Sequence, residues 1–153
     1  MQTDTIRLRE LTVRYSIRKD SDGNSVAIGR AIMSHRDAAA AFSALLQDEP
    51  GEVFGMLCLT TKHRVIAYHE VSRGTLDSTL VHPREVFKAA LLSNAAAVIV
   101  CHNHPSGDPT PSADDLSLTE RLQDAGKTLG IGIVDHIIVA RGGAVSLREQ
   151  QGN

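Results

Sequence analysis

The sequence has little of what would place it outside a reducing, aqueous setting. Only two cysteines, Cys58 and Cys101, occur in 153 residues. Each lies inside an apolar run, and no Cys-x-x-Cys pair suggests a redox or structural-metal motif. Two such thiols read as small buried apolar side chains. No stretch approaches the roughly 18 apolar residues that would span a bilayer. The N-terminal MQTDTIRLRE carries charge where a secretory signal would carry an apolar segment. The cytoplasm is therefore the expected location, with no membrane partner. A basic excess is missing too: 16 Lys and Arg stand against 18 Asp and Glu, for a formal net charge of −2. Phosphate neutralisation dominates affinity for nucleic acid, so composition gives no support to a dedicated nucleic-acid binder. Internal repeats and low-complexity tracts are absent as well.

What is present suits one α/β domain. The chain is about the length of a single domain, and 42% apolar with 22% charged residues is a soluble globular balance. Residues 1–35 stand apart as an N-terminal arm. In it LTVRYSIR (11–18) alternates like an exposed or edge strand, and KDSDGNS is a turn-rich loop. Such an arm can pair with the domain edge or with a second copy, so a homodimer is an expectation. The domain proper is expected over 36–150. RDAAAAFSALLQ (36–47) predicts a helix capped by Asp37. EVFGMLCLT (52–60) and HRVIAYHEVS (63–72) predict a hairpin-like pair of strands. After the long loop RGTLDSTLVH, Pro83 opens a helix over PREVFKAALLSN. AAAVIVC (95–101) is apolar on both faces, as a central strand covered by helices would be. A helix over 113–129, with apolar positions Leu116, Leu118, Leu122, Ala125 and Leu129, is followed by a buried strand, IGIVDHIIVA, and a short last strand in GGAVSL. This alternation predicts a layered α/β fold with a central mixed sheet and helices on both faces.

The chemistry concentrates in HNHPSGDPTPSADD, residues 102–115. His102 and His104 follow the expected central strand, and side chains two apart on extended backbone point the same way. Pro105 biases His104 toward that backbone, so both imidazoles can reach one point while Asn103 faces away. The prolines and Gly107 can turn the chain back sharply. Ser112 then begins a helix and Asp115 falls in its first turn. Two histidines and one carboxylate make the three-ligand, open set of a catalytic zinc, with water as the fourth partner. The same residues have a plainer reading: Ser112-x-x-Asp115 is also an ordinary helix cap. His136 sits in a buried strand run and reads as a group packed behind the site rather than as a ligand. His82 precedes a helix and could line the site, and His35, His63 and His69 read as surface or strand-end residues.

The string His-x-His, seven residues, Ser, two residues, Asp resembles the JAMM signature of the JAB/MPN metallopeptidase superfamily. Together with VHPREVFKAAL and VDHIIV it is similar to the RadC family, and the likeness extends over residues 36–148. The resemblance implies a cytidine-deaminase-like, three-layer α-β-α sandwich. It implies Zn2+ held by His102, His104 and Asp115, with zinc-bound water as nucleophile. Ser112 matches the serine that supports the water and the oxyanion. Glu52 is the best match to the upstream general base, and Glu49, which precedes the Pro-Gly break, is a poorer one. The implied reaction is hydrolysis of a peptide or isopeptide amide bond in a protein or peptide substrate. Without the resemblance, Glu52 is one more solvated glutamate before a strand.

Longer RadC-like proteins carry a helix-hairpin-helix region associated with DNA. The arm stands in its place here, so the expectation is a stand-alone catalytic module, and DNA is a partner by family association only. Two other readings stay open: a metal-dependent nuclease or DNA-processing factor, and a module that binds metal without turnover. The literal His-Asn-His differs from the nuclease motif of that name, whose residues are spread over a longer unit. A base deaminase would need His-x-Glu and Pro-Cys-x-x-Cys, and neither occurs.

Overall fold

The computed structural model describes residues 9–19, 22, 28–74 and 81–152. In order these form α1 (His35–Leu46), β1 (Val53–Leu59), β2 (Val65–Arg73), α2 (Pro83–Leu92), β3 (Ala97–Asn103), α3 (Ala113–Leu129), β4 (Gly132–Ala140), β5 (Gly143–Ser146) and α4 (Leu147–Gln150). The strands make one mixed sheet in the order β2-β1-β3-β4-β5. β3 and β4 are parallel, with α3 as their crossover, and the other neighbours are antiparallel.

Strand parity explains the layers. In β1 the side chains of Val53, Leu57 and Leu59 join α1 residues Ala38, Phe42 and Leu46 in one core. Phe54, Met56 and Cys58 turn to the opposite face, against Val86 and Phe87 of α2 and Leu118 and Leu122 of α3. β3 repeats the pattern, with Ile99 and Cys101 in the first core and Val98 and Val100 in the second. The result is the expected three-layer α-β-α sandwich, and both cysteines are buried and free, as expected. Among the described residues, no helix is long and apolar enough to cross a membrane.

Several expectations shift in detail. The cap of α1 is Ser34, not Asp37; Asp37 is the third residue in and returns the bond, its carboxylate accepting from the Ser34 amide. β3 begins at Ala97 rather than 95 and runs on through His102 and Asn103, because both residues pair with β4. In α3 the buried stripe is Leu118, Thr119, Leu122 and Gly126. Leu116 lies about 120° round the helix from Leu122 and is exposed, as is Leu129. Residues 11–18 form no strand, and Leu11, Val13, Tyr15 and Ile17 are exposed. The edge pairing is made later in the arm: Gly29 donates to the Val65 carbonyl, Ile32 to that of His63, and Val65 to that of Arg30. Most of the KDSDGNS loop, and residues 75–80 of the long loop, lie outside the described residues.

Candidate metal centre

His102 owes its position to strand parity. It follows Val98 and Val100 on the face covered by α2 and α3, and its ring stacks on Phe54 with centroids 6.0 Å apart and planes 14° from parallel. His104 keeps the extended course because its amide still bonds the Val139 carbonyl of β4, at 2.9 Å. The two imidazoles therefore converge, Nε2 to Nε2, at 2.9 Å. Nδ1 of His104 lies 2.8 Å from the Asp108 carbonyl oxygen. A carbonyl only accepts, so that nitrogen donates and Nε2 is the one turned to the site.

The loop that follows brings the carboxylate back. Gly107 adopts φ of +91°, a conformation open to glycine. Its amide bonds the His104 carbonyl, while its own carbonyl accepts from Gly142 at 2.9 Å. Asp108 then closes a short turn by accepting from both the amide and the hydroxyl of Thr110. Ser112 caps α3 in a complete capping box: its hydroxyl accepts from the Asp115 amide at 3.1 Å, and its amide donates to Asp115 Oδ2 at 2.8 Å. The plain cap and the ligand geometry thus coexist. Fixed by that box, Asp115 places Oδ1 3.2 Å from His102 Nε2 and Oδ2 3.4 Å from His104 Nε2. Half-burial works against the charge of Asp115, but His102 and the two Ser112 contacts outweigh it and hold the carboxyl well below the ordinary carboxylate range.

These distances permit a direct test of fit. Zinc with bonds of about 2.0–2.1 Å in a tetrahedron separates its ligand atoms by about 3.3 Å. The two nitrogens here are 2.9 Å apart, the carboxylate meets them through different oxygens, Oδ1 at 3.2 Å and Oδ2 at 3.4 Å, and the donor set, two imidazole nitrogens and a carboxylate, is one that holds a divalent ion.

Glu52 and Ser112 share a cavity of about 310 Å³ with His102, His104, Asp115 and the ring edge of Phe54. Glu49 is elsewhere engaged. Its carboxylate takes a bidentate bond from Arg73, at 2.7 and 3.1 Å, and it does not line the cavity. What holds the Glu52 segment is Asn103, between the two histidines in sequence. Its side chain, on the opposite face of β3, accepts from the Val53 amide at 2.7 Å and donates to the Gly51 carbonyl at 2.9 Å and, more weakly, to that of Glu49. Those bonds straddle Glu52. Parity put Asn103 facing away, but its partners are some 50 residues distant in the chain and no local pattern names them. His136 lies behind the site as expected, its Nε2 2.8 Å from His102 Nδ1. Thr119 beyond it went unnoticed, being one polar residue in a helix of mixed composition. His82 instead caps α2, accepting from the Arg84 amide. His35 pairs with Glu149, and neither His63 nor His69 lines the cavity.

With this geometry in hand, comparison with known proteins is specific. The family model described as the RadC-like JAB domain matches residues 32–152. A UPF0758 protein of Methanosarcina barkeri is 44% identical over 121 residues, which cover 79% of this chain and 53% of the relative. One from Thermotoga maritima is 52% identical over 99 residues, 65% of this chain and 45% of the relative. One from Clostridium botulinum is 38% identical over 145 residues, 95% of this chain and 61% of the relative. The chain spans about half the length of most of the curated relatives it matches.

Proposed function

The chain belongs to the family of RadC-like JAB domains, and from that premise we propose that it is a zinc-dependent hydrolase of peptide or isopeptide amide bonds. The observation that carries the reading is one cluster: ligand atoms of His102, His104 and Asp115, one from each, all within 4.8 Å of one another, beside a cavity that Glu52 and Ser112 also line. His102, His104 and Asp115 would hold the ion and leave its remaining position toward the cavity. Zinc bound there supplies a Lewis acid and acidifies water toward a pKa of about 7.

The remaining roles belong to the chain. The Glu52 carboxylate accepts the proton of the attacking water and returns it to the leaving amine nitrogen. Asn103 fixes the backbone on both sides of Glu52, so the base needs no reorientation between the two transfers. The Ser112 hydroxyl accepts from the Asp115 amide and keeps its own proton to donate to the oxyanion that develops on the carbonyl. Phe54 lines the cavity and stacks on the imidazole of His102, covering one face of the ring. The substrate in this reading is a protein or peptide, whose amide would enter the cavity that Glu52, Ser112 and the candidate ligands line.

The test is elemental analysis of untagged protein never exposed to a chelating resin, with Asp115→Ala and His104→Ala beside wild type. Near-stoichiometric zinc in wild type and its loss in both variants is the expected result. Zinc-loaded protein is then incubated with heat-denatured protein and with isopeptide-linked dipeptides, and new amino termini are counted by mass spectrometry. Cleavage by wild type and none by Glu52→Gln with its zinc intact supports the mechanism. Wild type that stays free of metal after zinc is added back overturns it.

A further inference from the structure

Behind His102 runs a buried chain of hydrogen bonds that ends on the backbone of the third candidate ligand. The Thr119 hydroxyl lies 2.7 Å from the Asp115 carbonyl oxygen and 2.6 Å from Nδ1 of His136. Nε2 of His136 lies 2.8 Å from Nδ1 of His102. Thr119, His136 and His102 are 3%, 1% and 2% exposed, so the contacts lie in the interior.

The protons in this chain can be assigned from one end. A carbonyl oxygen cannot donate, so the Thr119 hydroxyl spends its proton on Asp115. The Thr119 oxygen can then only accept from His136, which puts a proton on His136 Nδ1. A buried imidazole with no carboxylate against it is neutral, so Nε2 of His136 is a lone pair and accepts. Its partner, Nδ1 of His102, must therefore donate. That leaves Nε2 of His102 as the nitrogen turned to the site, 2.9 Å from Nε2 of His104 and 3.2 Å from Oδ1 of Asp115.

His136 reaches this position through a defect in the sheet. The pairing of β3 with β4 runs Val98 to Ile133 and then Ile99 to Asp135, so Val134 is an extra residue. Without that bulge the parity of β4 would turn His136 to the α1 face. With it, His136 stands opposite Val100 on the same face as His102. Phe54 meets its ring edge-on, with centroids 5.6 Å apart, and fixes the ring plane.

We propose that Thr119 and His136 form a positioning relay that sets the tautomer of His102, so that Nε2 is always the atom offered to the metal. The inference rests on the metal-binding part of the function proposed above. It also couples two of the ligands, because the relay starts on the backbone of Asp115 and ends on the ring of His102. Neither relay residue touches substrate or ion.

The test uses Thr119→Val, Thr119→Ser, His136→Leu and wild type. Thr119→Val is nearly isosteric but removes both bonds, whereas Thr119→Ser keeps the hydroxyl. Zinc affinity is measured by competition with a chromophoric chelator, and thermal unfolding is recorded for each protein without zinc. The nitrogen-15 shifts of the imidazoles are read in zinc-free protein in mildly alkaline solution. The expected result is a loss of zinc affinity of about tenfold or more in Thr119→Val and His136→Leu, with Thr119→Ser close to wild type. The spectra should show His102 protonated on Nδ1 in wild type and Thr119→Ser, and a tautomer mixture in Thr119→Val. Equal zinc affinity in Thr119→Val and wild type would overturn the relay. So would a loss shared by Thr119→Ser and tracking a lowered unfolding temperature, which would reduce Thr119 to packing. If wild type binds no zinc the hydrolase reading fails, while the His102 tautomer, read without metal, still decides the relay.

Discussion

Asn103 shows how much one residue can hold. Its amide completes bonds to the Val53 amide and the Gly51 carbonyl from a position 3% exposed. Truncating it to alanine strands the buried Val53 amide, at about 1–3 kcal/mol, while Gly51 is exposed and its carbonyl can turn to water. Asn103→Ala should therefore lower the unfolding free energy by about 1–3 kcal/mol, and urea denaturation will show it. A variant as stable as wild type would mean that water takes over the clamp and that Glu52 is held by something else. The thiols give a second expectation at this scale. Burial raises the Cys58 thiol to about 11 and the Cys101 thiol well above its usual value, so neither is a thiolate at neutral pH. Iodoacetamide should leave both unmodified in the folded protein and alkylate both in urea, as read by mass. Rapid labelling of native protein would show that the sheet opens around them. The candidate ligands themselves were legible, since residue spacing alone put His102, His104 and Asp115 together. Asn103, Thr119 and Phe54 were not, because each acts through a partner that only the folded sheet brings near.

Helix α3 and the loop before it divide the work of stability and of site geometry, and two glycines separate them. A Cβ on Gly126 would lie 2.3 Å from the Ile131 carbonyl oxygen, where α3 packs on the start of β4. Neither backbone can yield, so Gly126→Ala should destabilise the whole fold by about 1–3 kcal/mol, the range for overpacking a tight core. A Cβ on Gly142 would lie 2.5 Å from the Gly107 carbonyl oxygen. Gly107 belongs to the loop between His104 and Ser112, so Gly142→Ala should push that loop off the sheet end. Zinc affinity should fall with little change in unfolding temperature, and chelator competition beside thermal melts will tell the two glycines apart. The opposite pattern, with Gly142→Ala unstable but binding zinc normally, would make the contact structural only. Period and caps gave most of these elements, since α3 and the hairpin strands fall close to their expected bounds. The errors have physical causes. Asp37 can cap a helix, but Ser34 meets the same need three residues earlier, and both were used. The alternation of Leu11, Val13, Tyr15 and Ile17 resembles a strand, yet among the described residues no strand pairs with 11–18, and period two alone forms no ladder. The β4 bulge left no mark on the sequence at all.

At the scale of the whole molecule, the site is an addition to a fold that does not need it. Two separate cores, one on each face of the sheet, bury the large side chains of β1 and β3 without help from the candidate ligands. This is unlike a small zinc module, whose ligands stand in for a core and which unfolds when the metal is removed. Strand order was not readable from the chain for a related reason: β1 and β3 pair across the whole of β2 and α2, a contact that no local pattern announces. Yet the ligands join distant parts of the fold, two at the end of β3 and one on the first turn of α3. They form a set only when the sheet and the helix are both in place, so zinc should bind the folded chain far better than the unfolded one. Linkage then fixes the size of the effect. Free zinc at 100 times its dissociation constant adds about 2.7 kcal/mol to the folded state. For a domain near 150 residues, each kcal/mol moves the unfolding temperature by about 2–4 °C, so the whole shift is about 5–10 °C. Protein stripped with chelator should accordingly keep its circular dichroism and its cooperative melt, only at lower temperature, and zinc should restore the difference. Asp115→Ala should melt cooperatively too, but zinc should leave its midpoint where it was. Collapse of the stripped protein would make the ion part of the core rather than an addition to it, and a zinc-dependent rise in Asp115→Ala would move the binding site away from this cluster.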